Sequence, residues 1–295
     1  MDYELYHDES LEGGYWHGIL LVPQGNKNDF CDLLVLARNN VPYEYKLGIK
    51  NVECRGRIYD CASAWTQLGV AYLRSTPKGQ TEHAFLGKRY RGRRQYDEVG
   101  LYGMKFILFR EPHWKEDFEK FPDHGAGVET TFRFGLKGGL HYLGSAGTPI
   151  NVTRIHFDGY EHYRRHIDRE RIVGKIRGLR EYCAIADLAD TIDDRHSDHK
   201  KAGSQDYEDC QFLQLVDMLI GCFRTSLGYG TRSIHYELAR PTTALVKRYL
   251  QGYARMRNSR WYRSFVMSEC FLQNGRWEFQ TVHRADRKEK QPAML

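Results

Sequence analysis

The fold is decided by residues 3–22, which read YELYHDESLEGGYWHGILLV. Residues 3–8 alternate in character and are rich in residues that favour β-structure, a pattern typical of a strand. Gly13-Gly14 predicts a turn, and residues 15–22 predict a second strand that ends at Pro23. We therefore expect the two segments to pair as a β-hairpin, so the sheet that contains them is mixed rather than wholly parallel.

Strand-like and helix-like segments alternate along the rest of the chain. Besides a short extended piece at 43–46, strands are predicted over 101–109, 150–157 and 183–188, and a hairpin over 265–283 that turns at Asn274-Gly275. Helices are predicted over 28–38, 60–74, 130–143, 168–182, 209–223 and 242–256. The segments 77–99, 111–128 and 190–206 have the composition of connections. This order indicates an α/β fold, a mixed sheet flanked by helices.

The composition allows a sizeable core and argues against a membrane protein or a secreted one. The chain has 295 residues, 41% of them hydrophobic, and lacks the ~18 consecutive apolar residues that a membrane-spanning helix needs. Its N-terminus, MDYELYHDES, is acidic and unlike a secretory signal. Seven scattered cysteines without a CxxC spacing favour reduced thiols over disulfides or a zinc ribbon. We expect a cytoplasmic protein with no membrane partner.

Four carboxylates lie in or beside predicted core elements, where a buried negative charge needs a positive partner. Asp8 and Asp158 each end a predicted strand, Asp217 lies in an apolar helix, and Glu44 stands two residues before Lys46. Clustered carboxylates repel one another unless a cation is present, and Mg²⁺ and Mn²⁺ prefer oxygen ligands. Two such ions, about 3.5–4 Å apart, can activate water and stabilise the leaving oxygen of a phosphodiester. We therefore predict one or two Mg²⁺ or Mn²⁺ ions on the four carboxylates, with Lys46 positioning a phosphate.

Three motifs resemble those of a bacterial family of unknown function that is assigned to the ribonuclease H-like superfamily. They are Asp8-Glu9-Ser10, Glu44-x-Lys46, and Leu213-Gln214-x-x-Asp217 with the Met-Leu-Ile-Gly that follows it. In that superfamily, which includes integrases and Holliday-junction resolvases, the metals are bound by an Asp in the first strand, a Glu, an Asp that ends a central strand and an Asp in a late helix. The resemblance implies that Asp8, Glu44, Asp158 and Asp217 are the catalytic metal ligands of a nuclease.

The resemblance covers roughly residues 1–225. It implies a ribonuclease H-like domain over residues 1–228, with an insertion at about 77–128 because Glu44 and Asp158 are far apart in sequence. Residues 229–295 then form a basic C-terminal extension, a helix and a hairpin.

Glu44 is the ligand that departs from the superfamily pattern, because no helix carries it. Glu9 could replace it, although adjacent residues of a strand point to opposite faces of the sheet. Three acids of the polar stretch at 190–206 are further alternatives: Asp193, Asp194 and Asp198. Gln214 lies one helical turn before Asp217 and could orient a ligand, as could Glu9 and Ser10 beside Asp8.

Basic residues concentrate in two segments although the net charge is only +6. The first is KRYRGRR at 88–94, and the second runs from 247 to 263 and also contains aromatic residues. Cations that meet phosphates and rings that stack on bases would suit a nucleic acid, whereas an ordinary solvated basic surface is the alternative. The candidate contacts are Lys88, Arg89, Arg91, Arg93, Arg94, Arg255, Arg257, Arg260, Trp261 and Arg263.

The predicted metal site and the basic segments together favour a metal-dependent nuclease that hydrolyses DNA or RNA. One polyanionic substrate would contact both of them. The rival hypothesis is a non-catalytic nucleic-acid-binding or assembly subunit on the same fold. Such a subunit would belong to a phage-defence or mobile-element system, as a homodimer or with a protein partner. A hydrolase of a small phosphorylated substrate is a third hypothesis, and the basic segments count against it.

Overall fold

The computed structural model describes residues 2–74, 103–143, 150–158, 168–181, 185–188, 192–201, 206–256 and 264–285. The strands within these residues are β1 (Asp2–Ser10), β2 (Tyr15–Pro23), β3 (Lys105–Glu111), β4 (Ile150–Asp158), β5 (Ile185–Leu188), β6 (Ile192–Arg195), β7 (Phe265–Gln273) and β8 (Arg276–Thr281). The helices are α1 (Lys27–Asn40), α2 (Arg57–Arg74), α3 (Trp114–Phe118), α4 (His124–Leu143), α5 (Arg169–Arg177), α6 (Tyr207–Arg224), α7 (Ser233–Leu238) and α8 (Arg240–Met256).

The eight strands of the described residues form one mixed sheet in the order β5-β4-β1-β2-β3-β7-β8, with β6 also paired to β4. The hairpin of β1 and β2 lies at its centre, and β3 extends it in the antiparallel sense. Strand β4 pairs with β1, and β7 pairs with β3, in the parallel sense. The predicted α/β fold with a mixed sheet and flanking helices is therefore confirmed. The C-terminal hairpin of β7 and β8 belongs to this same sheet.

Helices cover both faces of the sheet. On one face α6 packs on β1 and β2, with α1, α2 and α8 packed around it, and the shared core includes Tyr6, Trp65 and Phe212. On the other face α4 packs on β3 and β7, and Leu5 and Phe132 belong to a second core. Successive side chains of β1 therefore alternate between the α6 face and the α4 face.

Helix α6 can approach the central hairpin closely because Gly18 of β2 has no side chain. A Cβ atom at Gly18 would lie 2.3 Å from Cγ1 of Ile220 on α6. Asp8 is the cross-strand partner of Gly18. This contact therefore brings α6 near the end of β1 that carries Asp8.

Four secondary-structure predictions need correction. Residues 43–46 form no strand, and the helix predicted over 168–182 is α-helical only to Arg177. Helix α4 begins at His124, inside the predicted connection, because Asp123 accepts a hydrogen bond from the backbone of Ala126 (2.7 Å) and so caps it. Strand β6 lies in the polar stretch 190–206, since an edge strand tolerates charged side chains. The whole segment 77–99 lies, with its neighbours, outside the described residues.

The adjacent glycines Gly138 and Gly139 of α4 lie in different environments. Glycine inside a helix costs roughly 1 kcal/mol, which predicts close packing at such a pair. A Cβ atom at Gly139 would lie 2.2 Å from Cδ1 of Ile107, whereas one at Gly138 would meet nothing within 4 Å. Close packing is therefore confirmed for Gly139 and wrong for Gly138.

The two glycines make a matched pair of test variants. Gly138→Ala should raise the free energy of unfolding by about 0.5–1 kcal/mol, because alanine favours the helix and nothing opposes its methyl group. Gly139→Ala should lower it by about 1–3 kcal/mol, because Ile107 lies inside the sheet and cannot move away cheaply. Urea denaturation of the two variants measures both values, and equal effects would contradict the packing described.

The helices of the described residues include none whose length and apolar character would suit it to cross a membrane.

Candidate active site

The sheet brings Asp8 and Asp158 to the same edge. Strands β1 and β4 are parallel neighbours, and His7 is in register with Phe157, so the residues that follow each of them come next to one another. Asp217 approaches from α6, which packs on β1. Three of the four predicted carboxylates therefore meet on the α6 face.

Burial and mutual repulsion control the ionisation of these carboxylates. The pKa of Asp8 is raised well above its usual range by burial, and the negative charges of Asp217 and Asp158 raise it further. Burial also raises the pKa of Asp217, while Lys46 and the backbone N–H of Ile49 oppose that shift. Three carboxylates placed this way favour a cation between them.

Lys46 supplies a positive charge at this site. Its Nζ lies 3.8 Å from Oδ2 of Asp158 and also donates a hydrogen bond to Oγ of Ser197. The backbone N–H of Ser197 in turn points to Oδ1 of Asp158 at 3.4 Å. On the opposite side, the backbone N–H of Ile49 donates to Oδ2 of Asp217 at 3.1 Å. The segment 46–49 thus lies between the aspartate of β4 and the aspartate of α6.

Gln214 holds that segment in place from α6. Its Oε1 accepts hydrogen bonds from the backbone N–H of Leu47 (2.7 Å) and from Nη2 of Arg38 (2.9 Å). Its Nε2 donates to the backbone carbonyl of Ser197 at 2.7 Å. Gln214 is completely buried, so these bonds replace all contact with water. Gln214 therefore connects α6 to the segment that carries Lys46.

Arg38, which the sequence did not indicate as a site residue, belongs to the same network. It is buried, and its Nη1 donates to the backbone carbonyl of Tyr45 at 2.6 Å. Its guanidinium also stacks 4.8 Å from the ring centre of Trp65. An arginine near the end of an amphipathic helix normally lies in solvent, so its position in the sequence gives no sign of this role.

Glu44 does not join the three aspartates. Its side chain is 82% exposed and its Oε2 lies 3.8 Å from Nζ of Lys200. The physical reason is that residues 43–46 form a loop rather than a strand, and this loop is fastened through its backbone carbonyls. Arg38 binds the carbonyl of Tyr45, and the ring of His199 bonds to the carbonyl of Glu44 itself at 3.0 Å.

Glu9 cannot replace Glu44 because it points to the α4 face. There it lies beside His7 and His17, and the Tyr15 hydroxyl donates to its Oε2. Burial raises the pKa of Glu9 to about 8 and lowers the pKa of His17 to about 3. We call His7, Glu9 and His17 the His-Glu-His cluster.

The other predicted site residues contact other partners, or their side chains are outside the described ones. Oγ of Ser10 accepts a hydrogen bond from Nη1 of Arg224 at 2.5 Å. Asp193 faces Arg195, and Asp198 accepts a hydrogen bond from the backbone of Lys200. The side chain of Asp194 is not among those described. The same holds for the basic candidates Lys88, Arg89, Arg91, Arg93, Arg94, Arg255, Arg257, Arg260, Trp261 and Arg263.

Two further groups of side chains in the described part of the chain hold three possible ligand atoms within 4.8 Å of one another. They are the His-Glu-His cluster and the group of Glu4, His156 and Asp209. The carboxylates of Asp8, Asp158 and Asp217 are spaced more widely than this. Two cations already face the second group, because Nζ of Lys27 lies 2.8 Å from both Glu4 and Asp209 and Nε of Arg195 lies 3.3 Å from Asp209.

Comparison of the chain with protein-family models, with curated proteins and with solved structures found no match. The features on which a function can be argued are therefore the three aspartates, Lys46 and the network of Gln214 that holds them.

Proposed function

We propose that the protein is a metal-dependent nuclease of ribonuclease H-like fold, which hydrolyses phosphodiester bonds of DNA or RNA with Mg²⁺ or Mn²⁺ at Asp8, Asp158 and Asp217. The observation that carries this proposal is the meeting of three carboxylates from two adjacent parallel strands and a facing helix. Burial and the neighbouring negative charges raise the pKa of Asp8 at that point. A mixed sheet with aspartates on its first strand, at the end of a central strand and on a late helix is compatible with that superfamily.

The residues present fit a divalent ion with oxygen ligands. The three side chains offer carboxylate oxygens only, which are the ligands that Mg²⁺ and Mn²⁺ prefer. Gly48 lies directly against Asp217, since a Cβ atom there would stand 2.8 Å from Oδ2. A side chain at Gly48 would therefore collide with that oxygen. When bound, a divalent ion supplies the positive charge and the activated water that phosphodiester hydrolysis needs.

The chain's own residues would position the substrate. Lys46 is half exposed and lies beside Asp158, so its ammonium can contact a phosphate oxygen while it stays near the carboxylates. Its hydrogen bond to Ser197 and the bonds of Gln214 to Leu47 and Ser197 fix the segment on which it stands. Lys46 and the aspartates are thus held by one network.

Mn²⁺-dependent cleavage of single-stranded and double-stranded DNA and RNA by the purified chain tests the proposal. We expect cleavage that EDTA abolishes and that Asp8→Asn lowers at least about 100-fold. Asp2→Asn is the matched control on the same strand, because Asp2 is exposed and bonds only to Asn151 among its described partners. Full cleavage by Asp8→Asn would exclude this site as the catalytic centre.

A non-catalytic nucleic-acid-binding subunit is the second candidate, and one observation favours it. Lys46 already places a positive charge 3.8 Å from Asp158, so part of the repulsion can be relieved without an ion. Under this alternative, nucleic acid would bind equally well with EDTA, and Mn²⁺ would yield no product. An electrophoretic mobility-shift assay run beside the cleavage assay separates the two functions.

A further inference from the structure

The His-Glu-His cluster is a second concentration of ligand-type side chains, on the opposite face of the sheet from the aspartates. His17 of β2 is the cross-strand partner of Glu9 of β1, and His7 stands two residues before Glu9 on the same face. His17 is 0% exposed and His7 is 1% exposed. The three side chains therefore meet without access to water in the layer between the sheet and α4.

The three ligand atoms have the spacing of a metal site. Nε2 of His7 and Nδ1 of His17 share a hydrogen bond at 3.0 Å, which a bound ion would replace, and Oε1 of Glu9 lies 3.8 Å from the first and 3.9 Å from the second. The point equidistant from three atoms so placed is about 2.1 Å from each, which is the length of a zinc–nitrogen or zinc–carboxylate bond. A divalent ion at or just above that point would reach all three ligands without a large movement of the strands.

The unsatisfied oxygen of Glu9 is an independent sign of a missing partner. Oε2 accepts a hydrogen bond from Tyr15, but the buried Oε1, which faces both histidines, has no hydrogen-bond partner. A buried carboxylate oxygen left without a partner destabilises the folded state. An ion between Glu9 and the histidines would satisfy it.

Thr131 of α4 sets the tautomer that a metal ligand needs. Its hydroxyl donates to the backbone carbonyls of Gly127 and Val128, both at 3.0 Å. When that single hydrogen is donated to a carbonyl, the hydroxyl oxygen accepts the hydrogen bond that it shares with Nε2 of His17 at 2.9 Å. In that tautomer Nε2 carries the proton, and the lone pair of Nδ1 points into the cluster. Such an outer hydrogen bond is typical of histidines that bind metals.

We infer that His7, Glu9 and His17 bind a divalent ion of the zinc class in a buried site. Two imidazoles and one carboxylate suit a first-row transition ion better than Mg²⁺, which prefers oxygen ligands and keeps several waters. The group of Glu4, His156 and Asp209 is different, because Lys27 occupies it. This inference is independent of the proposed nuclease function, since the two sites share no ligand.

Cobalt absorption tests the site, since Co²⁺ replaces zinc and its visible bands report ligand number. The full chain would be produced with Co²⁺ in the growth medium and washed with EDTA, and cobalt would be counted per chain. We expect about one tightly held cobalt per chain in the wild type and in the Asp8→Asn/Asp217→Asn double variant, because the aspartates are not ligands.

Variants of the cluster supply the decisive comparison. Glu9→Gln keeps the volume of the side chain, and His17→Gln removes one imidazole; both should lose the cobalt band and most of the bound metal. His156→Gln is the matched control, a buried histidine of the other group, and should keep both. The inference is overturned if the wild type holds no cobalt, if the cobalt disappears with Asp8 and Asp217, or if folded Glu9→Gln and His17→Gln retain it. Should both cluster variants fail to fold, the absence of cobalt from the wild type, or its loss from the aspartate double variant, would still overturn the inference.

Discussion

Replacement of Asp217 by Asn is expected to lower Mn²⁺-dependent cleavage at least about 100-fold while the protein stays as stable as the wild type. Asn keeps an amide oxygen that can accept the hydrogen bond from the backbone of Ile49. It removes a buried negative charge that raises the pKa of Asp8. Loss of that repulsion should leave the melting temperature unchanged or higher. The substitution should therefore lower activity without lowering stability, as expected of a functional carboxylate.

Cleavage rates and thermal denaturation of Asp217→Asn check both parts of this prediction. Glu44→Gln is the matched control, because Glu44 was predicted as a ligand but its side chain is 82% exposed. It should keep cleavage within about threefold of the wild type, as surface substitutions usually have small effects. A large loss of activity in Glu44→Gln would mean that the loop 43–46 rearranges when metal or substrate binds. A stable Asp217→Asn variant with full activity would contradict the proposed site.

Replacement of Gln214 by Leu should cost about 3–5 kcal/mol of unfolding free energy. Leucine fits the volume approximately, but it leaves the N–H of Leu47 and the carbonyl of Ser197 without their partner. It also removes one of the two acceptors of Nη2 of Arg38, which keeps only its bond to Gln211. These groups come from three separate segments of the chain, so no local adjustment can satisfy all of them. The substitution should therefore also release Lys46 from its position.

Chemical denaturation measures this loss, with Gln67→Leu as the control. Gln67 is also a helical glutamine, and its described hydrogen bond is a local one to Ser63 at 3.0 Å. We expect Gln67→Leu to change the unfolding free energy by less than about 1 kcal/mol. Equal losses of unfolding free energy in the two variants would show that Gln214 stabilises the fold through its volume rather than through its hydrogen bonds.

The core of the candidate site could be predicted from the sequence because it depends on the ends of regular elements. A carboxylate that ends an apolar strand, such as Asp8 or Asp158, is placed by the strand itself. Asp217 is placed by the periodicity of α6. Parallel pairing of β1 with β4 then follows from the usual geometry of strands joined through helices, and it brings the two strand ends together.

The loop that carries Lys46 could not be predicted in the same way. Its shape depends on hydrogen bonds between residues far apart in sequence, such as Leu47 with Gln214 and Lys46 with Ser197. Glu44 was assigned to the site from its motif alone, and only these long-range bonds determine that it faces Lys200 instead. The start of α4 and strand β6 were missed because glycine and charged residues obscure the usual periodicities.

Because side chains alternate along β1, this strand contributes to two candidate sites on opposite faces of the sheet. Both sites depend on which of its residues face each side. Asp8 faces α6, and its neighbour Glu9 faces α4 beside His7 and His17. A shift of the strand by a single residue would exchange the two carboxylates between the faces of the sheet. Deletion of one residue inside β1 should consequently remove the aspartate from one site and the glutamate from the other together. Both candidate sites therefore require that the number of residues in β1 stays unchanged.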